Sequence, residues 1–176
     1  MTSNINIEIK AKSSEEQQNK IREILKQNNA RYFGTDVQTD TYFKVERGRL
    51  KLRKGNIENY LIYYEREDKE KAKRSDVMLF NNQGRISELE KRTRETYEIL
   101  IEVDKIREIY FIGNVKFHID KVKNLGSFVE IEAISQENLI SEDKLREQCN
   151  YYKNLLEINE QDLIENSYSD MLLGKN

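Results

Sequence analysis

The chain has 176 residues, the size of one ordinary domain, and 30 Lys and Arg against 32 Asp and Glu leave a net charge of −2. That balance argues against a general nucleic-acid binder, which needs a basic surplus on at least one face. One cysteine (Cys149), one histidine (His118) and seven glycines exclude an internal disulfide, a His-rich metal site, a phosphate loop and a dinucleotide fingerprint.

In chain order, the first strand is expected over Ile5 to Lys12, with Ile5, Ile7, Ile9 and Ala11 on one side and Asn6, Glu8, Lys10 and Lys12 on the other. Ser13 and Ser14 precede Glu16 and Gln17 at capping-box spacing, which opens a helix with Ile21, Ile24 and Leu25 as its apolar stripe. Gln38 to Phe43, Arg49 to Arg53 and Glu58 to Glu65 read as three further strands with turns near Gly48 and Gly55-Asn56. Nine of the ten residues from Glu65 to Arg74 are charged, the pattern of an exposed connection. Strand character returns at Val77 to Phe80, and Arg85 to about Tyr97 reads as a helix. Strands are expected near Ile99 to Ile112, Val115 to Val122 and Phe128 to Ile134, the first two joined by a Gly113-Asn114 hairpin turn. Ser141 caps a helix carrying Leu145, Cys149, Tyr152 and Leu156, and Leu163 to Leu173 is a partly apolar tail that docks back. The apolar runs fall far short of a bilayer span, and Met1-Thr2-Ser3-Asn4 lacks a signal-peptide core. A soluble, cytoplasmic protein with no membrane and no nucleic-acid partner is expected.

The informative pattern is which residues share a strand face. Five strands place charge opposite their aliphatic side: Glu8, Lys10 and Lys12; Arg49, Lys51 and Arg53; Lys105 and Arg107; Lys116, His118 and Asp120; Glu130 and Glu132. About eight strands suffice to close a barrel around one small ligand. With amphipathic helices docked outside, the aliphatic faces turn outward and the charged faces line the interior. Like charges roughly 5 Å apart repel by roughly 3 kcal/mol at an effective dielectric near 20. A lining of six or more Lys and Arg therefore calls for a polyanion, and the carboxylates beside it suit Mg²⁺ or Mn²⁺. Together they suggest phosphoryl or nucleotidyl transfer.

The chain also resembles the CYTH superfamily of triphosphate tunnel metalloenzymes, in its class IV adenylate cyclase-like branch. The stretches that carry the likeness include Asn6-Ile-Glu-Ile-Lys-Ala-Lys12, Gln38-Thr-Asp-Thr-Tyr-Phe43, Gly48-Arg-Leu-Lys-Leu-Arg53, Ile62-Tyr-Tyr-Glu-Arg66, Lys73-Arg-Ser75, Lys105-Ile-Arg107, His118-Ile-Asp-Lys-Val122 and Leu125-Gly-Ser-Phe-Val-Glu-Ile-Glu132. The resemblance implies one CYTH-like domain over residues 1–176, an α+β fold in which an eight-stranded antiparallel tunnel is flanked by helices, and a homodimer. It implies metal-dependent chemistry on a small triphosphate: ATP to cyclic AMP and pyrophosphate, or hydrolysis of tripolyphosphate, thiamine triphosphate or nucleoside triphosphates. A triphosphate-binding module without turnover is the third reading. The residues implied for phosphate are Lys10, Lys12, Lys51, Arg53, Arg66, Arg74, Lys105, Arg107 and His118. Those for metal are Glu8, Asp120, Glu130 and Glu132, with Glu8, Lys10, Glu130 and Glu132 catalytic. Two positions depart from the family pattern. Asn6 stands where the signature Glu-x-Glu-x-Lys has its first carboxylate, and Glu65 stands where many relatives have a lysine.

Overall fold

A computed structural model describes residues 2–66, 72–80, 86–137 and 139–174. Its elements are β1 (Thr2–Lys12), α1 (Glu15–Gln27), β2 (Arg31–Phe43), β3 (Arg49–Lys54), β4 (Tyr60–Arg66), β5 (Lys73–Phe80), α2 (Ile86–Thr96), β6 (Ile99–Ile112), β7 (Val115–Val122), β8 (Gly126–Gln136), α3 (Glu142–Leu155) and α4 (Tyr168–Leu172). The strands close into a barrel in the order β1-β5-β4-β3-β2-β6-β7-β8, and every neighbouring pair is antiparallel. The α+β tunnel with flanking helices is therefore the fold.

On β1, β3, β7 and β8 the aliphatic faces point outward, as the alternation requires. Ile7, Ile9, Phe117, Ile119, Val129 and Ile131 form the main core with Ile21 and Leu25 of α1 and Leu145 and Cys149 of α3. A smaller cluster joins Phe43, Leu50 and Leu52 to Ile86 and Leu89 of α2. Ser14 caps α1 in a full capping box with Gln17, and Ser141 accepts from the Lys144 amide to cap α3. Cys149 is buried among these apolar contacts, and its thiol donates to the Ile7 carbonyl. Among the described residues, no helix is long and apolar enough to cross a membrane.

Several strands run longer than their local pattern predicts. β2 starts at Arg31 rather than Gln38, because pairing with β6 carries it to Phe111 across a register shift at Gly34. That shift breaks the alternation that would have announced the strand. Gly34 has φ 144, and a Cβ there would meet Ile57 at 2.7 Å. β5 starts at Lys73 inside the charged run, held by β1 through Glu8↔Lys73. β8 begins at Gly126 rather than Phe128, and β4 at Tyr60 rather than Glu58. The middle of the charged connection, residues 67–71, and the expected start of α2 at Arg85 lie outside the described residues.

Candidate functional site

The barrel encloses a cavity of about 160 Å³. One buried water needs roughly 10–15 Å³ on this measure, so there is room for an extended ligand. Residues two apart on a strand face the same way, so the charged faces read from the sequence converge on this space. Glu8 and Lys10 of β1, Lys51 and Arg53 of β3, Lys105 and Arg107 of β6, His118 of β7, and Glu130 and Glu132 of β8 all line it.

The interior cations do not simply repel one another, as a lining of bare lysines and arginines would. Carboxylates are interleaved with them. Asp40 of β2 is the hub: Arg53 donates to it at 2.8 and 2.9 Å, Lys105 at 2.8 Å and Lys51 at 3.1 Å. Burial pushes the Asp40 carboxyl up, but Arg53, Lys105 and Lys51 together hold it well below the usual range. Arg107 is clamped by Asp120 at 2.7 and 2.5 Å and by Glu130 at 2.6 Å. Lys10 lies 3.1 Å from Glu130, and 4.4 Å from the centre of the Tyr168 ring. For Glu130, burial is outweighed by Arg107 and Lys10, so it stays ionised. The pKa of His118 is lowered as well, which for a base means that burial, then Arg107, favour the neutral ring. With Glu130 ionised, Nδ1–H is the donor across their 3.0 Å contact. Lys105 carries the most marked consequence, because burial, only partly opposed by Asp40, lowers it to about 7.

The site also uses residues that sequence reasoning passed over. Asp40 lay inside a quoted stretch, but nothing in its strand's pattern marks it as a hub. Glu58 sits at the turn before β4 and pairs with Arg53 at 2.9 Å and with Lys116. Its place is set by Asp36, whose carboxylate accepts from the Ile57 and Glu58 amides at 2.9 Å each. Gly55 leaves room for that carboxylate, since a Cβ there would clash with both of its oxygens. Gly55→Ala should therefore cost about 1–3 kcal/mol in denaturant unfolding. Wild-type stability in that variant would show that the turn can move aside.

Three of the expected site residues, Lys12, Arg74 and Asp120, stand outside the cavity lining, and a fourth, Arg66, has its side chain outside the described residues. Lys12 is exposed and outside the lining, beyond the point where β1 leaves the cavity. Arg74 sits opposite the outward-facing Ile7 and is bonded to Asp76 at 2.8 Å and Glu142 at 3.1 Å, so it is directed outside. The inward register belongs to its neighbour Lys73, buried at 4% and donating to the Glu165 carbonyl. Asp120 is fully buried and bonded to Arg107 at 2.7 Å and to the Tyr168 hydroxyl at 2.8 Å. Arg66 pairs through its backbone with Ser75, and its side chain lies outside the described residues. Arg49 stands aside from the cavity and ties α4 to the barrel through Asp170 and Ser167, both at 2.8 Å.

Among the described residues, no three of His, Cys, Asp and Glu are gathered as a metal group. The oxygen-rich place is elsewhere, with an amide included. Glu8 and Glu132 are cross-strand partners. Asn6 donates to Glu132 at 2.6 Å and leaves its buried Oδ1 without a hydrogen-bond partner. Two carboxylates and an amide oxygen are hard ligands of the kind Mg²⁺ and Mn²⁺ take, so these residues fit a divalent cation.

An eight-stranded antiparallel tunnel with helices outside and paired Lys, Arg, Asp and Glu inside is the class of protein that fold and site define. The chain belongs to the CYTH domain family, whose model matches residues 4–168. Solved structures similar to it include the PH1012 protein of Pyrococcus horikoshii OT3, at 24% identity and TM-score 0.75, covering 94% of this chain and 98% of that one. A "putative adenylate cyclase" of Vibrio parahaemolyticus is 16% identical at TM-score 0.75, covering 96% and 98%. Another protein with that description, from Bacillus halodurans, is 14% identical at TM-score 0.57, covering 98% of both chains. At these identities the likeness is one of fold. No curated protein matches the chain.

Proposed function

We propose that the tunnel binds a small triphosphate and acts on it in a reaction that requires Mg²⁺ or Mn²⁺, with class IV adenylate cyclase chemistry as the leading form and triphosphate hydrolysis as the alternative. The observation that carries this reading is the convergence of Lys10, Lys51, Arg53, Lys105, Arg107 and Lys116 on one cavity, each beside a carboxylate. Such pairs keep the empty tunnel near neutral and leave donors that a phosphate chain can take over. The family supports it, since CYTH proteins are triphosphate-acting enzymes.

In this reading Lys51, Arg53, Lys105 and Arg107 hold the phosphates and neutralise charge building on the leaving group. Lys10 and His118 bound the cavity beside Glu130. Asn6, Glu8 and Glu132 would hold the cation. When bound, it supplies further positive charge to phosphate oxygens. In the cyclase form the ribose 3′-hydroxyl attacks the α-phosphorus and pyrophosphate leaves; in the hydrolase form water attacks the terminal phosphorus. The uncharged amide at Asn6 favours a second reading, a triphosphate-binding module without turnover. Product analysis separates the three. ATP or tripolyphosphate with Mg²⁺ or Mn²⁺ yields cyclic AMP with matching pyrophosphate, orthophosphate, or neither. The first two outcomes support the enzyme reading, and the last, with ligand bound, selects the module.

Lys105 adds a pH signature. At pH 8 it is mostly neutral in the free protein, and a polyanion beside it favours the charged form. Tripolyphosphate binding at pH 8 should therefore take up more protons in the wild type than in Lys105→Met, whose exchange is that of the ligand and the remaining groups. Titration calorimetry in two buffers of different ionisation heat reads this directly. Equal proton exchange in the two proteins would contradict it. The stability sign is separate: between about 7 and the usual 10.5 the unfolded chain holds this proton and the native chain does not. Lys105 thus adds to stability as pH rises through that window.

A further inference from the structure

Glu58 differs from the other carboxylates of the site in the main chain that carries it. Asp40, Asp120 and Glu130 stand on barrel strands, whereas Glu58 stands on the turn between β3 and β4 and reaches the cavity from one rim of the barrel. At that rim β3 ends with Lys54 and β7 begins with Val115. The two termini share a rim because β3, β2, β6 and β7 are successive antiparallel neighbours. Arg53 and Lys116 are therefore the last lining cations of their strands, and Glu58 accepts from both: from Arg53 at 2.9 Å with one oxygen and from Lys116 with the other. Gln38 donates to it at 3.1 Å. Arg31, at the start of β2, is exposed and outside the lining, with its guanidinium over the Phe33 and Phe111 rings.

The turn itself is tied down. Besides the two amide bonds to Asp36, Asn59 bonds the amide and the carbonyl of Gly55. Asn56 bonds the Val37 amide and the Thr35 carbonyl on β2. Side chains that close a turn onto the backbone in this way fix where its carboxylate stands. Burial pushes the Glu58 carboxyl up, but Lys116 and Arg53 hold it ionised. A fixed negative charge at one end of a cationic lining limits an anion chain. Phosphates beside Lys51, Lys105, Arg53 and Arg107 meet donors, but the next one toward this rim meets Glu58 and finds Lys116 already paired. A like charge at about 5 Å and an effective dielectric near 20 costs about a decade or more in binding. At the other end of the lining, Tyr168 of α4 packs on Phe128 and is bonded to Asp120, which limits how far a longer chain can slide inward. We propose that Glu58 is a specificity-determining residue that ends the phosphate chain, so that the tunnel takes three phosphates and rejects a fourth by its charge. This rests on the triphosphate reading above.

The test is equilibrium titration of the full chain with tripolyphosphate and linear tetrapolyphosphate, in EDTA to prevent turnover. The wild type should bind the longer chain about tenfold more weakly, or weaker still. Two variants separate charge from size. Glu58→Gln keeps the size and removes the charge, and should bring the two affinities together. Glu58→Asp keeps the charge on a shorter side chain, and should leave the preference in place. Relief by Asp and not by Gln would make the exclusion steric and overturn the proposal. So would a wild type that binds the longer chain as tightly as the shorter, or a Glu58→Gln variant that weakens both chains by the same factor. If Glu58→Gln shows no cooperative melting transition, the ratio in Glu58→Asp decides alone. If the wild type binds neither chain, in EDTA or with Mg²⁺, it is the triphosphate reading that falls.

Discussion

Asp40→Ala should destabilise the protein by about 3–5 kcal/mol in urea or thermal unfolding, the usual cost of removing one member of a buried ionic cluster. The reason is its three partners. Arg53 would retain Glu58 at 2.9 Å, while Lys51 and Lys105 lose the carboxylate they now contact at 3.1 and 2.8 Å. Asp40 and Lys105 are almost wholly enclosed, at 1% and 4% exposure, so solvent cannot replace the lost charge. Native domains have only about 5–15 kcal/mol to lose, which makes this a large fraction. The same substitution leaves a surplus of positive charge where phosphate is expected. Tripolyphosphate should therefore raise the melting temperature of the variant by more than it raises that of the wild type. A variant as stable as the wild type, or one indifferent to the anion, would remove Asp40 from its place at the centre of the site.

Glu132→Gln should lower turnover by about 100-fold or more while leaving unfolding nearly unchanged. Glu132 accepts from the Asn6 amide and lies beside Glu8, so its replacement removes a metal-facing oxygen charge without stranding a buried cation. Glu130→Gln should also suppress turnover, but with a loss of stability. Its carboxylate serves Lys10, Arg107 and His118 together. Steady-state rates and denaturation curves on both variants separate the two roles. Full activity in Glu132→Gln would show that the cation does not use this place.

The barrel and much of its lining were legible because alternation is a strong signal wherever one face meets helices. Ile7, Ile9, Phe117, Ile119, Val129 and Ile131 sort cleanly from Glu8, Lys10, His118, Glu130 and Glu132. The pattern fails where charge occupies both faces. In the run from Glu65 to Arg74 no alternation remains, so nothing in the sequence shows that the β1 pairing turns Lys73 inward and Arg74 outward. Asp40 and Glu58 were not legible as partners because their roles arise from strands and turns brought together by closure. The apolar part of the lining was hidden for a related reason: Ile62, Val77 and Leu79 look like ordinary core residues until closure of the barrel turns them into the cavity. Asp120 is the opposite case. Its spacing suits a metal ligand, yet it is consumed by Arg107 and Tyr168.

The most direct test of the account is a crystal structure of the protein with tripolyphosphate and Mn²⁺. The phosphate chain should lie inside the barrel within hydrogen-bonding distance of Lys51, Arg53, Lys105 and Arg107, with metal density beside Glu8 and Glu132. Tripolyphosphate bound only on the outer surface, with the carboxylate pairs of the interior intact, would contradict it.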